Sequence, residues 1–206
     1  MITEADARVL EPGSTVVLVA GGHITPLAQD TLNSRRVSVV SEHISDDMAG
    51  LVPSADVRTV AIAGDHTSLA LKRAIVSHLR GRGVAAHDLG TNTTDPVDYP
   101  DTASAAATAV ARGEADAAIV IDGAGLGSTI AANKVAGARA AMCLNETLAR
   151  YAREHNGANV LALGSTLLTT EQAVAIVDTF LATPMREPRY IRRLAKIREL
   201  ESRVRS

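Results

Sequence analysis

Residues 119–134 read Ile-Val-Ile-Asp-Gly-Ala-Gly-Leu-Gly-Ser-Thr-Ile-Ala-Ala-Asn-Lys. An apolar strand ends on Asp122, a loop with glycine at 123, 125 and 127 follows, and small residues then open a helix. Glycines let a backbone approach a ligand closely and turn several N–H groups toward it. In a parallel α/β protein such a loop receives an anion or a developing oxyanion. Asp122 stands at its lip, where a proton-transferring group belongs. A second carboxylate lies in Gly64-Asp65-His66, and a lone histidine, His155, ends a helical stretch. The C-terminal stretch Arg186 to Arg205 is basic, with Ile191, Leu194, Ile197 and Leu200 forming an i, i+3 apolar stripe. Arg189 and Arg193, one turn apart, either clamp a phosphate or belong to a solvated face paired with Glu199 and Glu201. Both readings stay open here.

Composition narrows the setting for this chemistry. Of 206 residues, 46% are apolar but only 2% aromatic, so the core is built from Ala, Val, Leu and Ile. That suits a parallel sheet covered by Ala-rich helices. Lys plus Arg number 21 against 23 for Asp plus Glu, which argues against nucleic-acid binding through bulk charge. The single cysteine, Cys143, excludes an intrachain disulfide and a zinc-thiolate cluster, and fits a reducing cytoplasm. No His/Asp/Glu cluster has metal spacing, so no metal is expected. No apolar run approaches the roughly 20 residues that span a bilayer, and the acidic N-terminus lacks a signal-peptide core.

From Arg58 onward, strand and helix alternate. Strands are expected at 59–63, 84–89, 117–122, 138–143 and 160–163. Helices are expected at 68–80, 102–111, 146–154 and 170–181, and a C-terminal one at about 187–204. Single helices between strands imply parallel βαβ units with right-handed crossovers. Ligands of such sheets collect beyond the carboxyl ends of the strands. Residues 1–57 form a smaller module: a strand at Val16 to Ala20, a helix from Pro26 capped by Thr25, a second strand at Val37 to Val40, and a linker at Pro53 to Asp56.

Gly64-Asp65-His66, Asp98-Tyr99-Pro100, the loop Gly123 to Gly127 with Ile130 to Lys134, Arg153-Glu154-His155-Asn156, Asn159 to Gly164, and Arg189 through Arg193 occur in that order. Over about residues 58–200 this resembles the ribose-5-phosphate isomerase B family, which includes the galactose-6-phosphate isomerase subunits. The resemblance implies a Rossmann-like α/β/α three-layer sandwich with a five-stranded parallel sheet. It also implies a homodimer, sometimes a tetramer, with active sites built across the interface, and aldose–ketose isomerisation of a sugar phosphate through an enediolate with no cofactor.

The resemblance also implies roles. His155 opens the sugar ring and Asn156 contacts the sugar. Asp65 binds a hydroxyl and Tyr99 lines the sugar. His66, Arg189 and Arg193 contact the phosphate, the arginines reaching from the partner subunit. The backbone of Gly123, Ala124, Gly125, Leu126 and Gly127 receives the enediolate. This chain departs from the pattern where the base is concerned. Asp122 stands where many members carry a cysteine, and Ser128 where others carry a glutamate. Thr166 replaces a usual arginine and Tyr190 a common histidine. Asp122 either replaces the cysteine as base, which requires its pKa to rise from about 3.9, or caps the glycine loop. The expected catalytic set is Asp122, His155 and Ser128.

The segment His23 to Asp30 is similar to a short segment of several bacterial microcompartment enzymes. Residues 1–57 are therefore expected either to engage shell or cargo proteins of such a compartment or to pack subunits. The substrate expected is ribose 5-phosphate or ribulose 5-phosphate. The alternatives are a tetrose or other phosphosugar, or a non-catalytic sugar-phosphate-binding scaffold.

Overall fold

The computed structural model describes residues 1–18, 22–41, 51–54 and 56–204. Val19, Ala20, Ala55 and Arg205, assigned above to a strand, the linker and the basic stretch, lie outside them. The chain divides into two compact units, Met1–Ala49 and Gly50–Ser206.

In the first unit, α1 (Glu4–Val9) and α2 (Pro26–Ser34) accompany a parallel pair of strands, β1 (Thr15–Leu18) and β2 (Ser38–Ser41). Sequence reading leaves α1 unassigned. It forms because Thr3 and Asp6 make a reciprocal capping box, each side chain accepting from the other residue's backbone N–H. Ala7, Ala28, Leu32 and Val37 make its small core.

Residues 51–54, ahead of the expected Arg58, belong with the second unit, and two arginines hold them there, Arg153 buried and Arg139 half-buried. Arg139 Nη2 donates to the Leu51 carbonyl at 2.9 Å, and Arg153 Nη2 to that of Ser54 at 2.7 Å. Residues 51–54 are thereby fastened to the larger unit.

Its five strands are β3 (Thr59–Gly64), β4 (Ala85–Asp88), β5 (Ala117–Asp122), β6 (Ala140–Met142) and β7 (Val160–Gly164). They pair in parallel in the order β4-β3-β5-β7-β6. The three central strands are buried along nearly their whole length, as a sheet covered on both faces requires. One face is aliphatic: Ile62, Ile119, Leu161 and Leu163 pack with Ile75 and Leu79 of α3 (Leu69–Gly81) and Ile176 and Phe180 of α7 (Thr170–Ala182). The other is an alanine face. Ala61, Ala63, Ala118 and Ala162 meet Ala103, Ala106 and Ala107 of α4 (Tyr99–Ala111), and Ala132 of α5 (Leu126–Ala132) joins them. Helix α4 begins three residues before the expected Thr102, because Asp98 takes the N-cap position and Pro100 fits the first turn. Helix α6 (Glu146–Asn156) packs against α7 and against the C-terminal α8 (Pro188–Val204).

This is the Rossmann-like α/β sandwich expected. Register brings Gly64 level with Ile121, and Asp122 level with Gly164. The ends of β3, β5 and β7 therefore open on one edge of the sheet.

Candidate active site

At that edge the glycine loop is organised by Asp122, which is 5% exposed. Its Oδ1 accepts the Ala124 N–H at 2.9 Å and the Gly125 N–H, and its Oδ2 accepts the Ser128 N–H at 2.7 Å. A carboxylate has about four acceptor sites, so one on Oδ2 is left. Gly125 holds φ +79°, and a Cβ there would come within 3.0 Å of the Leu163 carbonyl carbon. Only glycine seats the loop this closely on β7. Thr166 fastens it from the other side: its N–H and its hydroxyl both donate to the Gly123 carbonyl, at 3.0 and 2.7 Å. The residue that departs from the family's arginine thus has a structural task here.

Leu126 and Gly127 begin α5, so their N–H groups have no intrahelical acceptor. Ala124 and Gly125, counted above with the oxyanion donors, spend theirs on Asp122 instead. Ser128 also differs from expectation. It is 1% exposed and its hydroxyl has no hydrogen-bond partner among the described residues. What it brings to the loop is its backbone N–H.

Asp65 extends from the end of β3 and caps the 3-10 turn His66–Ser68. Its Oδ1 accepts from the Thr67 N–H at 2.9 Å and the Thr67 hydroxyl at 2.6 Å, leaving Oδ2 for another donor. Val97 N–H donates to His66 Nδ1 at 3.3 Å, which places the proton of the neutral ring on Nε2. Tyr99, at the start of α4, lies over Gly127: a Cβ on that glycine would sit 2.5 Å from the Tyr99 Cζ. Asp65, His66, Tyr99, Asp122 and the loop 123–128 are therefore gathered at one edge. Thr67 and Ser165, whose hydroxyl oxygens are 3.4 Å apart, join them without any sequence signal of their own.

His155 and Asn156 lie elsewhere. Helix α6 starts beyond the carboxyl end of β6 and returns to the amino end of β7. The length of β7 alone, about 15 Å, separates the two edges. His155 is stacked between Tyr151 (centroids 4.6 Å apart, 16° between planes) and Tyr190 (4.6 Å, 37°). Its Nε2 is 3.9 Å from Glu154 Oε2. Tyr151 precedes His155 by four residues on one helix, a spacing that signals the contact in the sequence. Arg189 and Arg193 lie over the Tyr190 ring, with Cζ 4.8 and 5.5 Å from its centroid. Both arginines are exposed.

Beneath this group Arg153 is fully buried, with Nη1 donating to the Ala158 carbonyl at 2.9 Å. Burial, aided by the Arg139 charge, pulls its guanidinium pKa down to about 10. Cys143, just past β6, has its thiol pushed up by burial to about 11. It is protonated near neutrality and is no nucleophile.

Residues 60–197 match the ribose/galactose isomerase family. The chain is 43% identical over 147 residues to ribose-5-phosphate isomerase B of Escherichia coli, covering 71% of this chain and 99% of that protein. Ribose-5-phosphate isomerase B of Clostridium thermocellum superposes with a TM-score of 0.70 at 46% identity, over 71% of this chain and 99% of the other. The Mycoplasma genitalium enzyme, solved with bound ribulose-5-phosphate, gives 0.68 at 41% identity, over 70% and 96%.

Proposed function

The chain belongs to the ribose/galactose isomerase family, and on that premise we propose that it interconverts ribose 5-phosphate and ribulose 5-phosphate through an enediolate, at a site completed by two copies of the chain. One copy supplies Asp65, His66, Tyr99, Asp122 and the glycine loop, and the other His155, Asn156, Arg189 and Arg193. The observation that carries this reading is their placement on opposite edges of one sheet. A site shared between two copies would bridge that separation, and the exposure of Arg189 and Arg193 on α8 supports their reaching a neighbour.

In the forward direction His155 relays a proton between ring oxygen and C1 hydroxyl and opens the furanose. Asp122 Oδ2 removes the C2 proton and returns it to C1, while the hydroxyl proton on O2 passes to O1, so that the enediolate collapses to the C2 ketone and a C1 alcohol. The developing oxyanion is received by the Leu126 and Gly127 N–H groups, which no helical acceptor occupies. Asp65 Oδ2 accepts from a sugar hydroxyl. The arginine pair and the His66 Nε2–H hold the phosphate. The three backbone donors on Asp122 favour a second reading of that residue alone, in which it clamps the loop and transfers no proton.

Proton NMR in deuterium oxide with ribose 5-phosphate and a tetrose phosphate tests the reaction. Exchange at C2 accompanied by ketose formation is expected. Asp122→Asn is expected to slow exchange by about 10²–10⁴-fold while leaving phosphosugar binding. Full exchange in that variant leaves the residue as a clamp only.

Residues 1–57 serve in one of two roles, engagement of a compartment shell or subunit packing. Deletion followed by co-purification with shell proteins separates them, since unchanged association rules out targeting.

A further inference from the structure

We propose that Tyr190 is the positioning residue that ties the ring-opening histidine to the phosphate clamp and holds the two in a fixed relation. The proposal rests on the roles given above to His155, Arg189 and Arg193. Tyr190 is in contact with all three. Its ring is 4.6 Å from that of His155, and it lies under both guanidinium groups at 4.8 and 5.5 Å. Its hydroxyl accepts from Arg189 Nη2 at 3.0 Å. It is itself only 9% exposed, so it is the fixed member of the group.

The physical need is clear from the partners. Two exposed arginines one turn apart repel one another and sample many rotamers. A tyrosine face attracts both cations, and a flat guanidinium stacked on it loses most of that freedom before a phosphate arrives. The same ring supports one face of the imidazole, and Tyr151 supports the other. A histidine at this position, the common residue of the resemblance, could itself turn to a phosphate. A tyrosine carries no positive charge. This chain therefore has a platform where others have a potential anion contact.

The test uses the full-length protein with Tyr190→Leu, Tyr190→Phe, Tyr151→Leu and His155→Asn. It measures kcat/KM for ribose 5-phosphate against pH, and inhibition by inorganic phosphate. Tyr190→Leu is expected to lower kcat/KM about tenfold or more, raise KM and the phosphate Ki together, and move the pH limb that His155→Asn abolishes. Tyr151→Leu, at an exposed site, is expected to move the pH limb and leave the phosphate Ki unchanged. Tyr190→Phe keeps the ring and is expected to raise the phosphate Ki about two- to threefold with kcat retained. A folded Tyr190→Leu enzyme with kcat/KM, Ki and pH profile all within about twofold of the parent overturns the proposal. If that variant does not fold, an unchanged phosphate Ki in Tyr190→Phe overturns it instead. Full activity in His155→Asn would remove the ring-opening role while leaving the clamp measurements readable.

Discussion

The two edges of the sheet are built by different means. At the carboxyl edge the groups that meet are mostly main chain: three N–H groups on Asp122, two donors on the Gly123 carbonyl, and a loop seated on β7. At the amino edge they are side chains, an imidazole between two phenol rings with two guanidinium groups over one of those rings. Backbone pinned at this many points by a buried carboxylate and a threonine has little room to adjust, which suits the place where charge develops in a transition state. Stacked side chains tolerate substitution as long as a ring remains, which suits adjusting a pocket to its substrate.

If the amino edge depends on buried side chains, it should break by loss of one of them. Arg153→Met strands the Ala158 and Ser54 carbonyls and should lower stability by roughly 3 kcal/mol, read from urea unfolding. An unchanged midpoint would mean that the strap at 51–54 is dispensable.

The carboxyl edge should break through its backbone. Gly125→Ala forces a side chain into a left-handed conformation against β7, for about 2 kcal/mol and a matching loss of turnover. Gly127→Ala sharpens the contrast. There the clash is with the tip of Tyr99, a ring 41% exposed and able to swing aside. A cost under about 1 kcal/mol is expected, with the effect confined to KM.

The smallest effect concerns Cys143. Cys143→Ala should leave activity intact, and iodoacetamide should not label the native thiol at pH 8. The native state holds this proton more tightly than the unfolded chain does, so it binds more protons between pH 9 and about 11, and stability should fall as pH rises through that window. Cys143→Ala should flatten that fall in thermal melts.

Much of the fold was legible because apolar runs and helix signals are local. The runs at 59–63, 117–122 and 160–163 became the three central strands. Helix α1 was missed because its capping box, Thr3 with Asp6, uses aspartate where glutamate or glutamine is the familiar partner. The attachment of residues 51–54 leaves no local mark for a different reason. The carbonyls of Leu51 and Ser54 are held by arginines 88 and 99 residues away in the chain.

The site divides the same way. The sequence by itself determined the parallel α/β architecture, the glycine loop with its carboxylate, and the family, since periodicity, turn residues and ordered motifs are written along the chain. Only the tertiary structure decided that Asp122 is held by three backbone donors, that Ser128 offers its N–H and not its hydroxyl, that Thr166 fastens the loop, and that His155 lies an entire strand length from Asp122. Those facts depend on which atoms converge when helices return across a sheet, and convergence between residues tens of positions apart leaves no local periodic mark.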